Sequence, residues 1–294
     1  MKKTERSKPS AGRTSRASYR RHPMSLVQRI AVTASAVITF AILVALLAYI
    51  LIMGVPNLKP GLFAWHYTSD NCSMTPAIIN TLLMVVLSLL LSVPFGIGAA
   101  IYLVEYAKRG NKLVKVVRLT AETLSGIPSI VYGLFGMLFF VTQLHWGYSL
   151  IAGAFTLAIM VLPVIMRTTE EALIAVPDSY REGSFGLGAG KLRTVIKIVL
   201  PPAMPGILSG VVLAIGRIVG ETAALLFTAG TVADMPKHFL LSSGRTLAVH
   251  MYQLSLEGLH YDQAYATGVV LLLLVLGLNS LSSLISRKIG GKAS

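Results

Sequence analysis

The chain has 294 residues, of which 54% are hydrophobic and 13% charged, with a mean hydropathy of +0.70. A soluble domain of that length does not carry so apolar a composition, which places the chain in a membrane. The formal net charge is +14, but the bases gather at the ends of apolar runs, the membrane pattern rather than the nucleic-acid one, and the single cysteine, Cys72, excludes an intrachain disulfide and any zinc cluster or redox pair built on cysteines.

Residues 1–29 hold nine bases, from Lys2 to Arg29, against one acid, Glu5. Such a segment buries too little apolar surface to order itself and is expected to be a solvated, topogenic cytoplasmic tail. No aromatic residues are arranged there to stack bases, so a nucleic-acid partner is not expected. The apolar run 30–53 is too long for the h-region of a signal peptide and lacks a small-residue cleavage site near its end. It is expected to remain as a first transmembrane helix.

After an external loop at 54–77, hydropathy predicts five more spans, at 78–104, 127–142, 148–166, 204–229 and 264–285. They form a core, 78–285, followed by a short tail, 286–294. Assigning the connections alternately gives one side the tail bases, Lys108 to Arg118, Arg167 to Lys197, and Arg287 to Lys292; the other side has only Lys59, Lys237 and Arg245. The positive-inside rule then puts both termini in the cytoplasm, and Trp65, Tyr67, Trp146 and Tyr148 fall near the outer ends of spans, where interfacial aromatics belong. Between the second and third spans, Lys112, Lys115, Arg118 and Glu122 recur at helical spacing against Leu113, Val116, Val117 and Leu119. This predicts an amphipathic helix on the cytoplasmic surface. The third span, interrupted by Gly126, Pro128, Ser129, Gly133 and Gly136, reads two ways: as an irregular helix lining a pathway, or as one thinned for close packing.

The cytoplasmic segment 167–203 is far longer than a tight helix connection needs. Pro177, Asp178 and Ser179 offer a helix start, and Gly186, Gly188 and Gly190 offer stops, so a short helix, a turn and a second helical piece over 191–199 are expected. The run from Gly186 to Lys191 imitates a phosphate-binding loop. That motif, however, needs Gly at Phe185, Ser or Thr at Leu192, and a preceding strand. The chain is not expected to bind ATP by that route.

Glu182, five residues, Gly188, nine residues, then Ile198, Leu200 and Pro201 resembles the EAA loop of ABC-importer permeases, with Gly183 and Ser184 where the family has two alanines. The resemblance implies an all-α integral membrane protein of six transmembrane helices with the type I ABC importer permease fold. It further implies that Glu182 to Pro201 couples to a separate ATP-binding subunit, which holds ATP and Mg, so that this chain is a transport subunit and neither binds a cofactor nor catalyses a reaction. Three further stretches, PSIVYGLF from Pro128, RTTE from Arg167 and RIVGETAALLFT from Arg217, resemble the PstA-type permease subunits of phosphate-specific importers. This likeness runs over nearly the whole chain from the second span onward, leaving out the basic tail and the outer loops. It implies inorganic phosphate as substrate at the bacterial cytoplasmic membrane, with a homologous second permease subunit and an extracytoplasmic phosphate-binding protein as partners. Sulfate or molybdate stands as the alternative substrate. An ion-coupled carrier without an ATPase would leave the loop from Glu182 to Pro201 unexplained.

The fifth span carries Arg217 and Glu221. Its eleven Leu, Ile, Val and Phe residues from Met204 to Thr228 contribute about −3 to −7 kcal/mol to insertion, against roughly +5 to +7 for the two charges. The sums nearly cancel, so both charges are expected to face protein or water, paired at i, i+4. They read either as a buried pair or interface lock, or as a site in which Arg217 meets an oxyanion and Glu221 orients it. Thr222 and Ser129 are further polar candidates on the path. Gly206 with Gly210, and Gly216 with Gly220, are small-residue pairs that let another helix approach closely.

Overall fold

The computed structural model describes residues 23–108, 110–236 and 239–290, and among them every regular element is helical. The basic tail before Pro23 lies outside the described residues, as do Lys237 and Lys292. α1, Pro23–Gly54, has no polar stripe beyond Arg29, where Thr33, Ser35 and Thr39 donate to carbonyls of their own helix, as suits a helix facing lipid. Among the described residues, those up to Leu51 form a unit of their own and the others a second.

The second unit is a bundle around α2 (Thr75–Ile101), α5 (Leu150–Ile174), α8 (Leu200–Val219) and α11 (Tyr261–Gly290). With α1, these give five helices long and apolar enough to cross a membrane. In lipid, burial of apolar area supplies little drive between helices, so close van der Waals packing has to hold them. α2 meets this need with a buried stripe three and four residues apart: Thr81, Met84, Val85, Ser88, Ser92, Gly96 and Ala100. The Thr81 and Ser92 hydroxyls donate to Ala77 O and Ser88 O in their own helix, whereas the buried Ser88 hydroxyl has no partner among the described residues. A Cβ at Gly96 would stand 2.8 Å from Ile165 Cγ2, which measures how closely α2 approaches α5. Gly206 and Gly210 lie in the same way against Ala172 and Thr168, as small-residue packing of α8 on α5 requires.

The third predicted span is short. α4, Ser129–Gly136, continues as a π-helical turn, Met137–Gln143, and bends by 102° from α3, Lys112–Ser125. Ile127 and Pro128 make the corner, since the residue before a proline is kept out of helical conformation. This bent pair is the sixth candidate crossing. α3 keeps its amphipathic pattern, with Leu113, Val116 and Leu119 exposed and Val114 buried.

Four boundaries differ from the sequence reading: α1 already starts at Pro23, inside the stretch expected as an unordered tail, α11 runs on to Gly290, past 285, and the ends of α5 and α8 both move. α5 runs eight residues beyond 166, to Ile174, because its charges are matched locally: Arg167 Nε lies 3.3 Å from Glu171 Oε1, and Glu170 accepts Arg118 Nη2 at 2.5 Å. The fifth span does not reach 229. α8 stops at Val219 with Gly220 as its C-cap, and the chain breaks before a single turn, α9, Ala223–Leu226. A further helix, α10, Leu247–Glu257, occupies a stretch read as outer loop.

Candidate functional site

The stretch from Glu182 to Pro201 forms the expected helix, turn and second helical piece, at the end of the bundle where α2 finishes. α6, Asp178–Gly186, leads into Gly188, whose φ of +80° suits glycine, and then into α7, Lys191–Thr194, which runs on through a π turn into α8. The turn is tied by the hydroxyls of Ser184 and Thr194, 2.8 Å apart, and by Ala189 N donating to Ser184 O. Glu182, Gly183, Gly188 and Ile198 face outward, Leu200 and Pro201 are half-buried, and Ser184 is buried. A Cβ on Gly183 would meet nothing, so alanine there would be accommodated. Around these residues Tyr180, Phe185, Leu187, Leu192 and Ile196 leave an exposed apolar surface.

Arg181 fastens α6 to the bundle. Its Nη2 lies 2.7 Å and its Nε 3.1 Å from Glu105 Oε1, and it also donates to Leu173 O and Val176 O at the end of α5. Both side chains are largely buried, at 13% and 7% exposure. The guanidinium thus satisfies carbonyls that a helix end leaves orphaned and pairs with a carboxylate held in the π turn Tyr102–Tyr106. Sequence reading counted Arg181 only as a cytoplasmic base and did not single out Glu105. The available signal was an acid at the very end of an apolar span. Between α3 and α6 lies an open cleft of about 1000 Å³ whose lining includes Lys108, Lys112, Lys115, Arg118 and Lys191.

The second group sits where α8 breaks. Arg217 is half-buried in the last turn of α8, near enough to Tyr132 of α4 for its charge to act there. The expected Arg217–Glu221 pair does not form. Glu221, at 8% exposure, lies past the helix end and accepts Ala224 N at 3.0 Å, capping α9. The reason is local: i, i+4 neighbours share a face only within one helix, and the Gly220 cap ends it. Arg217 therefore has no ion pair among the described residues. Thr222 is the N-cap residue of α9, and Ser129 opens α4. α4 and α9 touch closely, since a Cβ at Gly133 would stand 2.8 Å from Ala224 Cα. Arg217, Glu221, Thr222 and Ser129 are thus carried by two neighbouring helix breaks. Gly216 faces open space, and Gly220 meets nothing beyond its own helix.

A family model described as "Binding-protein-dependent transport system inner membrane component" matches residues 92–291, about two thirds of the chain. The chain belongs to this family of ABC importer permeases. The probable ABC transporter permease protein YqgI of Bacillus subtilis is 36% identical over 264 residues, covering 83% of this chain and 88% of that one. The phosphate transport system permease protein PstA 2 of Mycobacterium bovis is 39% identical over 207 residues, 68% of each chain. Among solved structures, a bacterial alginate ABC transporter in complex with an alginate pentasaccharide-bound periplasmic protein superposes with a TM-score of 0.64 at 18% identity, over 90% of this chain and 97% of that one. That likeness carries the type I importer permease fold and nothing about substrate. As a member of this inner-membrane family, the permease is a transport component that works with ATP-binding and substrate-binding proteins.

Proposed function

We propose that this permease moves inorganic phosphate inward across the bacterial cytoplasmic membrane, driven by ATP hydrolysis on a partner subunit. The observation that carries the reading is Arg217: a half-buried guanidinium at a helix break in a membrane span, with no ion pair in the described chain. A charge so placed needs a partner or water, and the planar fork matches phosphate oxygens in pairs. Relatives named as phosphate transport permeases support the choice over sulfate or molybdate. Glu221, fixed on α9, adds negative charge near the break and keeps the empty site from holding anion too tightly. Thr222 and Ser129 supply hydroxyls along the path.

In this reading both termini and α6 face the cytoplasm, by the charge bias of the connections. The apolar surface around Glu182 to Pro201 docks on the ATP-binding subunit, which holds ATP and Mg; this chain binds no cofactor. The basic cleft beside α6 suits an acidic rim on that subunit. A homologous second permease covers the open Gly216–Gly220 face, and an extracytoplasmic phosphate-binding protein delivers substrate at the other side. Transport then needs only two states of different phosphate affinity, with no chemistry on phosphate itself.

A non-glycine residue at Gly188 pays about 1–2 kcal/mol for its left-handed backbone. Gly188→Val is expected to loosen the α6–α7 turn, so that ATPase co-purifies in lower yield or hydrolyses ATP without transport. Unchanged yield and uptake would remove Gly188 from coupling. The substrate is tested by growth: a strain lacking this gene and other phosphate carriers should grow on scarce phosphate only when the gene is restored. Rescue on scarce sulfate or molybdate instead would reassign the substrate.

A further inference from the structure

At the end of the bundle away from α6, the N-terminus of α10 presents an unmet set of donors. Arg245 is 4% exposed, yet among the described residues its Nε and Nη2 have no hydrogen-bond partner and it makes no ion pair. Its guanidinium lies 4.6 Å from the centre of the Tyr67 ring, which contributes a π face and no countercharge. Thr246, the N-cap of α10, is 1% exposed, but its hydroxyl neither caps the helix nor bonds elsewhere. His250, one turn on, packs edge-on against Tyr67. Burial and the Arg245 charge push its pKa down to about 3, and the nearby Cys72 carbonyl makes no well-formed bond to the ring. The imidazole is therefore neutral and has one N–H to give. Asp70 and Glu257 are exposed, and neither pairs with Arg245.

A buried cation without a countercharge is strongly disfavoured, and a helix N-terminus adds its own preference for negative charge. The segment is also held firmly: Asn80 Nδ2 donates to Arg245 O, Arg245 N to Val232 O, and Leu247 N to Thr81 Oγ1. The main chain at Arg245 is thus fixed against α2, which sets where its side chain starts. We propose that the N-terminus of α10 is a structural binding site for a small inorganic anion of halide size, held by Arg245 and Thr246 beside His250. The size follows from burial: Arg245, Thr246 and His250 are each no more than 4% exposed, which favours a small bare ion over a hydrated tetrahedral oxyanion. The anion would hold residues 243–247 against α2, at a place separate from Arg217.

The test uses the full-length permease purified with its co-expressed partners. At equal ionic strength, Tm in chloride is expected to exceed that in gluconate by about 3 °C or more. Arg245→Met should erase the difference. Bromide-soaked crystals of the unaltered complex should show an anomalous peak within hydrogen-bond distance of Arg245 Nε or Nη2, a result that does not depend on any variant folding. Equal Tm in the two salts, or only a water molecule beside Arg245, would overturn the proposal. Stabilisation by phosphate well beyond that by chloride would also overturn it, because the site would then accept a larger oxyanion.

Discussion

Replacing Arg217 by Gln is expected to lower phosphate uptake about 100-fold or more while leaving insertion and assembly intact. The size follows from two charge-assisted hydrogen bonds, each contributing about 1.5–3 kcal/mol. Assembly should survive because no described residue pairs with Arg217, and because removing a charge from a span eases insertion by about 2.5–3.5 kcal/mol. Arg217→Lys keeps the charge but loses the fork, so it should recover only a small part of the uptake. A Gln variant that transports normally removes Arg217 from the path. One that fails to assemble makes the residue an interface lock instead.

The second large effect is expected at Arg181. Arg181→Met strips Glu105 of its partner while leaving that carboxylate 7% exposed, a change that costs about 3–5 kcal/mol. α6 would then no longer be bound to the ends of α2 and α5, so ATP hydrolysis should continue while transport falls. Pairing Arg181→Met with Glu105→Gln should restore much of the lost thermal stability, because no unpaired charge remains. It should not restore coupling, because the link itself is still missing. If the double variant transports at the normal rate, the ion pair only stabilises the fold and does not transmit motion.

Hydropathy locates the spans that are long apolar runs, and the short, bent third one only as a candidate, while the glycines and Pro177 mark the helix and turn of α6 and α7, where local rules suffice. The boundaries of α5 and α8 failed for two opposite reasons. At α5 the apolar run stops at Arg167 but the helix does not, since Arg167, Glu170 and Glu171 are matched by ion pairs beyond the hydrophobic stretch. At α8 the apolar run continues past the helix end, and hydropathy is blind to a break made by Gly220 and capped by Glu221. The supposed Arg217–Glu221 pair fell with that boundary. Arg181 with Glu105, and Arg245 with Asn80, join residues 76 and 165 positions apart. No local pattern announces such contacts, and each arginine read merely as one of the charges that orient the chain.

The central claim, ATP-driven phosphate import, is met most directly by uptake of labelled phosphate into vesicles carrying this permease with its complete set of partners. Uptake that requires ATP, is competed by unlabelled phosphate, and is left unchanged by excess sulfate or molybdate is the predicted result. Uptake that proceeds without ATP, or that sulfate or molybdate competes as well as phosphate does, would contradict it.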